Sequence, residues 1–427
     1  MILCRSVGLL LACAWMVLGF PRTSCGAPST VDASSMNGKV MCGYQGWFNA
    51  PGDGSQRGWV HWSNGNMEPG RATVDLWPDV AELGADERFP TGFRYSDGRV
   101  ADVFSSYNAK TVARHFQWMQ DYGIDGVFLQ RFANGIGNPV IMDHYQKVLQ
   151  NVRDGASQHG RVFGLMYDLS GTRTGDVQKV IDDWKHLFDQ NHLTGDRRYI
   201  HQDGKPVVAV WGLGFNDKRD PLLSDGLRLV RFLKSDPIYG GNMVLIGVPA
   251  RWRTDDTASV PLAEFRKVLV AADIIQPWSV GTCRTLDEVT QSESQLWADD
   301  MEWCRANHKL YMPVVYPGFS WHNLRKGQTP SDQIPRLGGR FLWAQFSVSK
   351  KLDVRMVYQA MFDEVDEGTA IFKCDSNAVP DGQGKSRFLS YGGLPSDFYL
   401  QLVGEATRLI RGEMAVNDEK LIKHSPQ

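Results

Sequence analysis

The sequence predicts an α/β protein, a (β/α)8 TIM barrel forming a single domain behind an N-terminal signal peptide. Three observations predict it. Apolar runs of strand length alternate with amphipathic helix patterns along the chain, and such alternation implies a parallel sheet. The strand and helix pairs number eight, which implies closure into a barrel rather than an open doubly wound sheet. No G-x-G-x-x-G follows the first apolar run and no Walker motif occurs, so the open nucleotide-binding sheets lose their main support.

The elements follow in order. Arg5, a nearly unbroken apolar run from Val7 to Phe20 and the small residues Thr23-Ser24-Cys25-Gly26-Ala27 form the pattern of a signal peptide cleaved after Ala27. The run is short for a membrane span. Residues 1–27 are therefore read as the signal and 28–39 as a leader, and the expected location is secreted or periplasmic. Leu10-Leu11-Ala12-Cys13 faintly resembles a lipoprotein box, which makes a lipid-anchored form the minor alternative. The barrel domain is expected over 40–427. Its first strand is the run Val40 to Phe48, and residues 49–103, rich in Gly, Pro and aromatics, are read as a long loop forming a cleft wall, with room for a small structured insert. A helix is expected over 109–122, with Val112, Phe116 and Met119 on one side and Gly123 as terminator. Further strands are expected at 125–132, 161–169, 206–213, 243–248, 273–278 and 310–316 and in the run that ends at Glu364. Further helices are expected at 140–152, 176–190, 222–234, 261–271, 286–306, 338–349 and 397–411.

Composition narrows the chemistry. A formal net charge of -2 offers no basic field for nucleic acid, and no later run is long enough to span a membrane. Fourteen Trp and thirteen Tyr supply flat amphipathic surfaces that suit sugar rings as well as cores. The expected partner is an oligo- or polysaccharide; the oligomeric state stays open. No C-x-x-C occurs, and the ten His show no H-x-x-x-H or H-E-x-x-H spacing, so no metal and no cofactor are expected. Four cysteines, Cys42, Cys283, Cys304 and Cys374, follow the signal, leaving room in an exported chain for one or two disulfides. Cys283 and Cys304 flank one helix pattern of about 20 residues, roughly 30 Å long, so they are not expected to pair with each other.

In a barrel of this class the chemistry sits at the C-terminal ends of the strands. The most informative end is Phe362-Asp363-Glu364-Val365-Asp366-Glu367-Gly368-Thr369. Glu364 and Glu367 are three apart, Gly368 permits a tight turn behind them, and crowding two carboxylates in one cavity would push their pKa values apart. They are read as the catalytic pair. Substrate-binding residues are expected at the other ends: Tyr44 and Trp47, Gln130 and Arg131, Tyr167 and Asp168, Trp211, Arg251 and Trp252, Trp278, and Tyr316 with Trp321 and His322. Plainer readings stand beside them. Tyr167 and Trp211 can fill the barrel's upper layer, Asp168 can cap the next helix, Arg131 can pair with Asp125 or another carboxylate, and His322 can be an ordinary loop histidine.

At these residues the sequence resembles the glycoside hydrolase family 99 and family 71-like group of endo-α-mannosidases and α-1,3-glucanases. The resemblance is carried by Gly43-Tyr44-Gln45-Gly46-Trp47-Phe48, Asp75-Leu76-Trp77-Pro78, the block 109–132, Pro313-Val314-Val315-Tyr316-Pro317-Gly318-Phe319 and Glu364-Val365-Asp366-Glu367-Gly368-Thr369. It adds Asp75 and Trp77 to the expected binding residues. It implies a (β/α)8 fold and retaining hydrolysis without a metal. Glu364 would deprotonate the substrate's own 2-hydroxyl, which attacks the anomeric carbon, and Glu367 would protonate the leaving oxygen and later activate water. Glu364 would then be ionised and Glu367 protonated at the working pH. Val365 stands where the family usually has Trp, and Asp363 where an amide is expected. The implied function is endo-acting hydrolysis of an α-mannan or α-glucan type of glycan. The alternatives are a xylan- or arabinan-type glycosidase and a carbohydrate-binding barrel without catalysis.

Overall fold

A computed structural model describes residues 30–216, 222–254, 258–381 and 384–416. The signal peptide expected over 1–27 and the end of the domain, 417–427, lie outside the described residues. Eight strand positions, rich in buried Val, Ile and Leu, form a parallel ring. They are β1 (Lys39–Tyr44), β2 (Gly126–Phe132), β3 (Val162–Asp168), β4 (Lys205–Trp211), β5 (Met243–Pro249), β6 (Ile274–Trp278), β7 in two pieces (Leu310–Tyr311 and Val314–Val315) and β8 (Met356–Gln359). Neighbours in the chain are neighbours in the sheet, and β1 lies between β2 and β8.

Closure depends on the broken seventh strand. Its first piece pairs with β6, Leu310 opposite Ile274, and its second with β8, Val314 opposite Tyr358. The break falls at Met312-Pro313, where proline has no N–H to give a ladder. The remaining groups are still used: Met312 N–H donates to Ile275 O at 3.0 Å and Tyr358 N–H to Pro313 O at 3.0 Å. The kinked strand thus serves both neighbours in turn.

The helices α1 (Ala109–Tyr122), α2 (Pro139–His159), α3 (Val177–Asn191), α4 (Leu223–Ser235), α5 (Leu262–Ala271), α6 (Ser294–Ala306), α7 (Arg340–Lys351) and α8 (Phe398–Arg411) alternate with the strands. The side chain of Asn108 caps α1 by accepting from Lys110 and Thr111 N–H, and Gly123 ends it in the left-handed region. The pattern 286–306 is interrupted by a π turn, Val289–Glu293, before α6 begins.

Two segments are more ordered than sequence suggests. Residues 30–38, expected as a leader, pack on the underside of the barrel: Met36 is fully buried and Val31 N–H donates to Gly160 O at 2.8 Å. The long first loop carries an antiparallel hairpin, Phe89–Arg94 with Val100–Val103. Trp62 and Trp77 are buried within it, their indole N–H groups donating to Phe104 O at 3.1 Å and Asp102 O at 3.0 Å. It is a small folded wall with its own core.

No helix among the described residues is long and apolar enough to cross a membrane. Cys42, Cys283, Cys304 and Cys374 are buried and unbridged, which corrects the expectation of disulfides: each thiol is enclosed by its surroundings, and that of Cys283 donates to Glu293 Oε2 at 3.2 Å. A chain beginning at Thr30, unfolded without reductant, should therefore titrate four thiols with an aromatic disulfide reagent, and react slowly when native; two or fewer on unfolding would show a bond.

Candidate active site

The acid-rich stretch leaves β8 and folds back as a pinned loop. Phe362 N–H donates to Gly43 O at 2.8 Å, and the Asp363 carboxylate accepts the N–H groups of Gln45 at 2.8 Å and Gly46 at 2.9 Å. The end of β8 is thereby stitched to the end of β1. Gly368, at φ 62° with Ser320 backbone atoms 3.2 Å from where a Cβ would lie, makes the return turn. Arg336 holds that turn by donating to Gly368 O at 2.8 Å and Ala370 O at 2.6 Å, while its guanidinium lies 4.4 Å from the Tyr399 ring centre.

The floor follows from strand alternation, in which every second side chain points into the barrel. Gln130 and Phe132 enter from β2, Met166 and Asp168 from β3, Trp211 from β4, Trp278 from β6, and Tyr358 and Met361 from β8 and its extension. Gln130 Nε2 donates to the Tyr358 hydroxyl at 2.8 Å. Gly43 makes this floor possible: a Cβ there would lie 2.2 Å from both Met361 Cε and the Tyr358 hydroxyl oxygen.

Above the floor the cleft has two lobes. The smaller, ≈ 280 Å³, is lined by Trp47, Gln130, Asp168, Met361, Glu364 and Glu367 among others. The larger, ≈ 530 Å³, is lined by Phe215, Arg284, Phe319, Trp321, Arg325 and Glu367 among others. Trp211 and Trp278, ring centres 5.4 Å apart, belong to both. Glu364 faces the small lobe alone, whereas Glu367 stands where the lobes meet.

Burial raises the pKa of three of these acids, Asp363, Glu364 and Glu367. Burial pushes Asp363 up to about 7 against the pull of its two backbone donors. Glu367 is pushed up to about 7 by burial and then by Asp366 and Asp168, while the Arg325 guanidinium draws it down. Glu364 is raised well above the usual carboxylate range by burial, then by Glu367 and Asp366; Thr369 Oγ1 donates to it at 3.1 Å. Asp366 faces His61, Oδ2 to Nδ1 3.0 Å, and His61 stacks on Trp47 at 3.6 Å between ring centres. Glu364 is 4% exposed and set among other carboxyls, whereas Glu367 is partly exposed, and the two titrate as a pair.

Of the residues expected to bind substrate, Trp47, Gln130, Asp168, Trp211, Trp278 and Trp321 line the cleft. The others do not. Arg131 and Tyr167 occupy outward strand positions and both bind Asp183 of α3, at 2.6 Å and 2.7 Å. Tyr44 also faces outward, its hydroxyl 2.8 Å from His115 Nδ1. Trp77 belongs to the core of the wall, Trp252 packs on Trp303 at 4.7 Å between ring centres, and the Tyr316 hydroxyl donates to Cys283 O at 2.7 Å. Arg251 is exposed at the rim and lines neither lobe. Asp75 is a structural clip, accepting from Ser320 Oγ, from His322 N–H at 2.7 Å and from Asn323 N–H at 2.8 Å. His322 Nδ1 lies 2.6 Å from Thr329 O, and the residue lines neither lobe.

Several lining residues were not anticipated. Phe132 and Met166 were available from the period of two, each lying two positions along from, or beside, residues already singled out. Arg325 follows Trp321 by four residues and covers its ring at 4.0 Å, a spacing visible in the sequence. Arg284 carries no such signal, because it arrives on an irregular loop.

No family model matches the chain. Two solved structures of a GH99 endo-α-mannosidase from Bacteroides thetaiotaomicron, one in complex with Bis-Tris propane, superpose with TM-scores of 0.64 and 0.62. They cover 89% and 90% of this chain and 99% and 100% of theirs, at 14% and 15% identity. The chain shares their fold. A structure described as a glycoside hydrolase-like protein is similar over 84% of this chain and 99% of its own, with TM-score 0.50 and 13% identity. Among curated proteins, an aminomethyltransferase from Natranaerobius thermophilus is 23% identical over 182 residues, 39% of this chain and 47% of that protein. That similarity spans less than half of either chain, whereas the barrel superposition runs nearly end to end.

Asp75 joins the first wall to the loop after β7, so Asp75→Asn should place an amide against a backbone N–H and cost about 1–3 kcal/mol. Urea unfolding measures it, and an unchanged midpoint would show that the clip contributes nothing.

Proposed function

We propose that this protein is a glycoside hydrolase that cuts α-linked glycans, of mannan or glucan type, within the chain, with Glu364 and Glu367 as its catalytic pair. One observation carries the reading: both carboxyls line a small aromatic-walled lobe, and Glu367 also borders a second lobe. A bond held at that junction has a sugar on each side and Glu367 beside its oxygen. The full-length similarity of fold to an endo-α-mannosidase supports the same reading.

In this scheme the sugar to be cleaved, an α-mannosyl ring whose axial 2-oxygen lies anti to the leaving oxygen, occupies the small lobe, against Trp47 and the Trp211–Trp278 pair. Glu364 takes the proton of the 2-hydroxyl as that oxygen bonds to the anomeric carbon. The bond to the leaving oxygen breaks, and Glu367 gives that oxygen its proton. Water then opens the three-membered ring, yielding its proton to Glu367 while Glu364 returns its own to the 2-oxygen. Two inversions give net retention. The pair carries one proton in the productive state, on Glu367, and titrates as a coupled pair. The scheme draws on no metal or cofactor. The signal pattern over residues 1–27 leads us to propose a secreted or periplasmic location.

A glycan panel with reducing-end detection tests the activity, with Glu367→Gln as blank. Either Glu→Gln change should reduce hydrolysis about 100- to 10,000-fold, and the two should be strongly non-additive. On an aryl glycoside with an acidic leaving group, Glu367→Gln should recover most of its bond-breaking rate and Glu364→Gln should not. Equal recovery would overturn the roles; normal rates in both would move catalysis elsewhere, and binding without turnover in the wild type would make the protein a lectin-like barrel.

The pH profile is a separate check. Arg325 draws the Glu367 pKa down, so Arg325→Gln should raise it and keep the acid protonated to higher pH. The alkaline limb of kcat should move upward; a downward shift would contradict that influence.

A further inference from the structure

We infer that the larger lobe is a subsite for an acidic sugar, one bearing a carboxylate or a sulfate ester, whose anion is bound by Arg284 and Arg325. The inference rests on the glycosidase reading for its premise that a glycan occupies the cleft. The two lobes differ in charge. Asp168, Glu364 and Glu367 line the small one, whereas Arg284 and Arg325 line the large one with Glu367 at its edge.

Neither arginine has an ion-pair partner within 4 Å among the described residues, while Arg114, Arg131, Arg153 and Arg253 hold Glu87, Asp183, Asp196 and Asp300. Arg325 is also oriented: its guanidinium lies 4.0 Å from the centre of the Trp321 ring, which holds a planar fork ready for two-point contact with a carboxylate or sulfate. Trp321 Nε1 and Gln333 Oε1, on residues of the same lobe, are buried without hydrogen-bond partners; the anion or a sugar hydroxyl would accept from the indole N–H, and a sugar hydroxyl would donate to the amide oxygen. A neutral glycan would leave both guanidiniums to water. An acidic one supplies both with a counter-ion.

Matched ligands test this by calorimetry in the Glu367→Gln background, which blocks turnover. One arm compares α-1,4-linked galacturonic acid oligosaccharides with their neutral methyl esters; the other compares sulfated α-fucan oligosaccharides with their desulfated forms. The acidic member of at least one arm should bind about 10- to 100-fold tighter than its neutral match, and the arm that responds identifies the anion. That preference should weaken with salt and vanish in an added Arg284→Gln/Arg325→Gln pair, whose thermal melting should be unchanged because both side chains are exposed. Equal affinity within both arms, no binding of either acid, or a preference that survives the double change would overturn the subsite. The glycosidase reading fails separately: acid binding with no glycan hydrolysed by the wild type would sink it and leave the subsite standing, and hydrolysis of neutral glycans without acid preference would do the reverse.

Discussion

Four carboxyls in five consecutive residues, Asp363, Glu364, Asp366 and Glu367, are held together at one end of a closed barrel, and the rest of the mouth is built around that burden. Charges so placed repel each other and lose their water. Two are settled by the protein itself. Asp363 takes the N–H groups of Gln45 and Gly46, which also closes β8 on β1, and Asp366 takes His61. Glu364 and Glu367 are left with one threonine hydroxyl and the more distant field of Arg325 between them. They are the two that face the cleft, so whatever enters it meets both.

The surrounding parts each answer a need of that arrangement. The absent side chain of Gly43 lets Tyr358 and Met361 form a floor directly beneath the pair. Arg336, gripped by Tyr399, fixes the carbonyls behind Gly368 so that the loop returns at one angle. The Trp47–His61 stack extends the apolar wall of the small lobe while its polar edge quiets Asp366. Opposite charge gathers only beyond Glu367, and the cleft changes sign along its length.

Much of the fold was legible because its signals are local. The asparagine cap and the terminating glycine place α1 at Ala109–Tyr122, where its apolar stripe predicts it. The glutamate pair was legible for the same reason, since a run of acids after an apolar strand has few quiet explanations. Which neighbour of a strand-end pair faces inward was not. Gln130 and Arg131, or Tyr167 and Asp168, are adjacent in sequence and opposite in space, and a shift of one position in the pleat exchanges cleft for helix interface. Arg131 and Tyr167 were resolved only by the appearance of Asp183 on α3, a long-range partner. The same limit applies to Asp75, whose three donors lie far along the chain, and to β7, where Pro313 divides a strand that reads as continuous.

The Asp75 clip links two excursions from the barrel to each other: the wall after β1 and the loop after β7. Asn323 reinforces it by bonding Val74 O and Arg387 O, both at 2.8 Å. The rim is therefore a bonded superstructure seated on the strands. Redesign of this protein is bound by that coupling. A new wall grafted after β1 would strip the ligands from Ser320, His322 and Asn323 and release Trp321 and Arg325 with them, so one side of the mouth can be exchanged only together with the other.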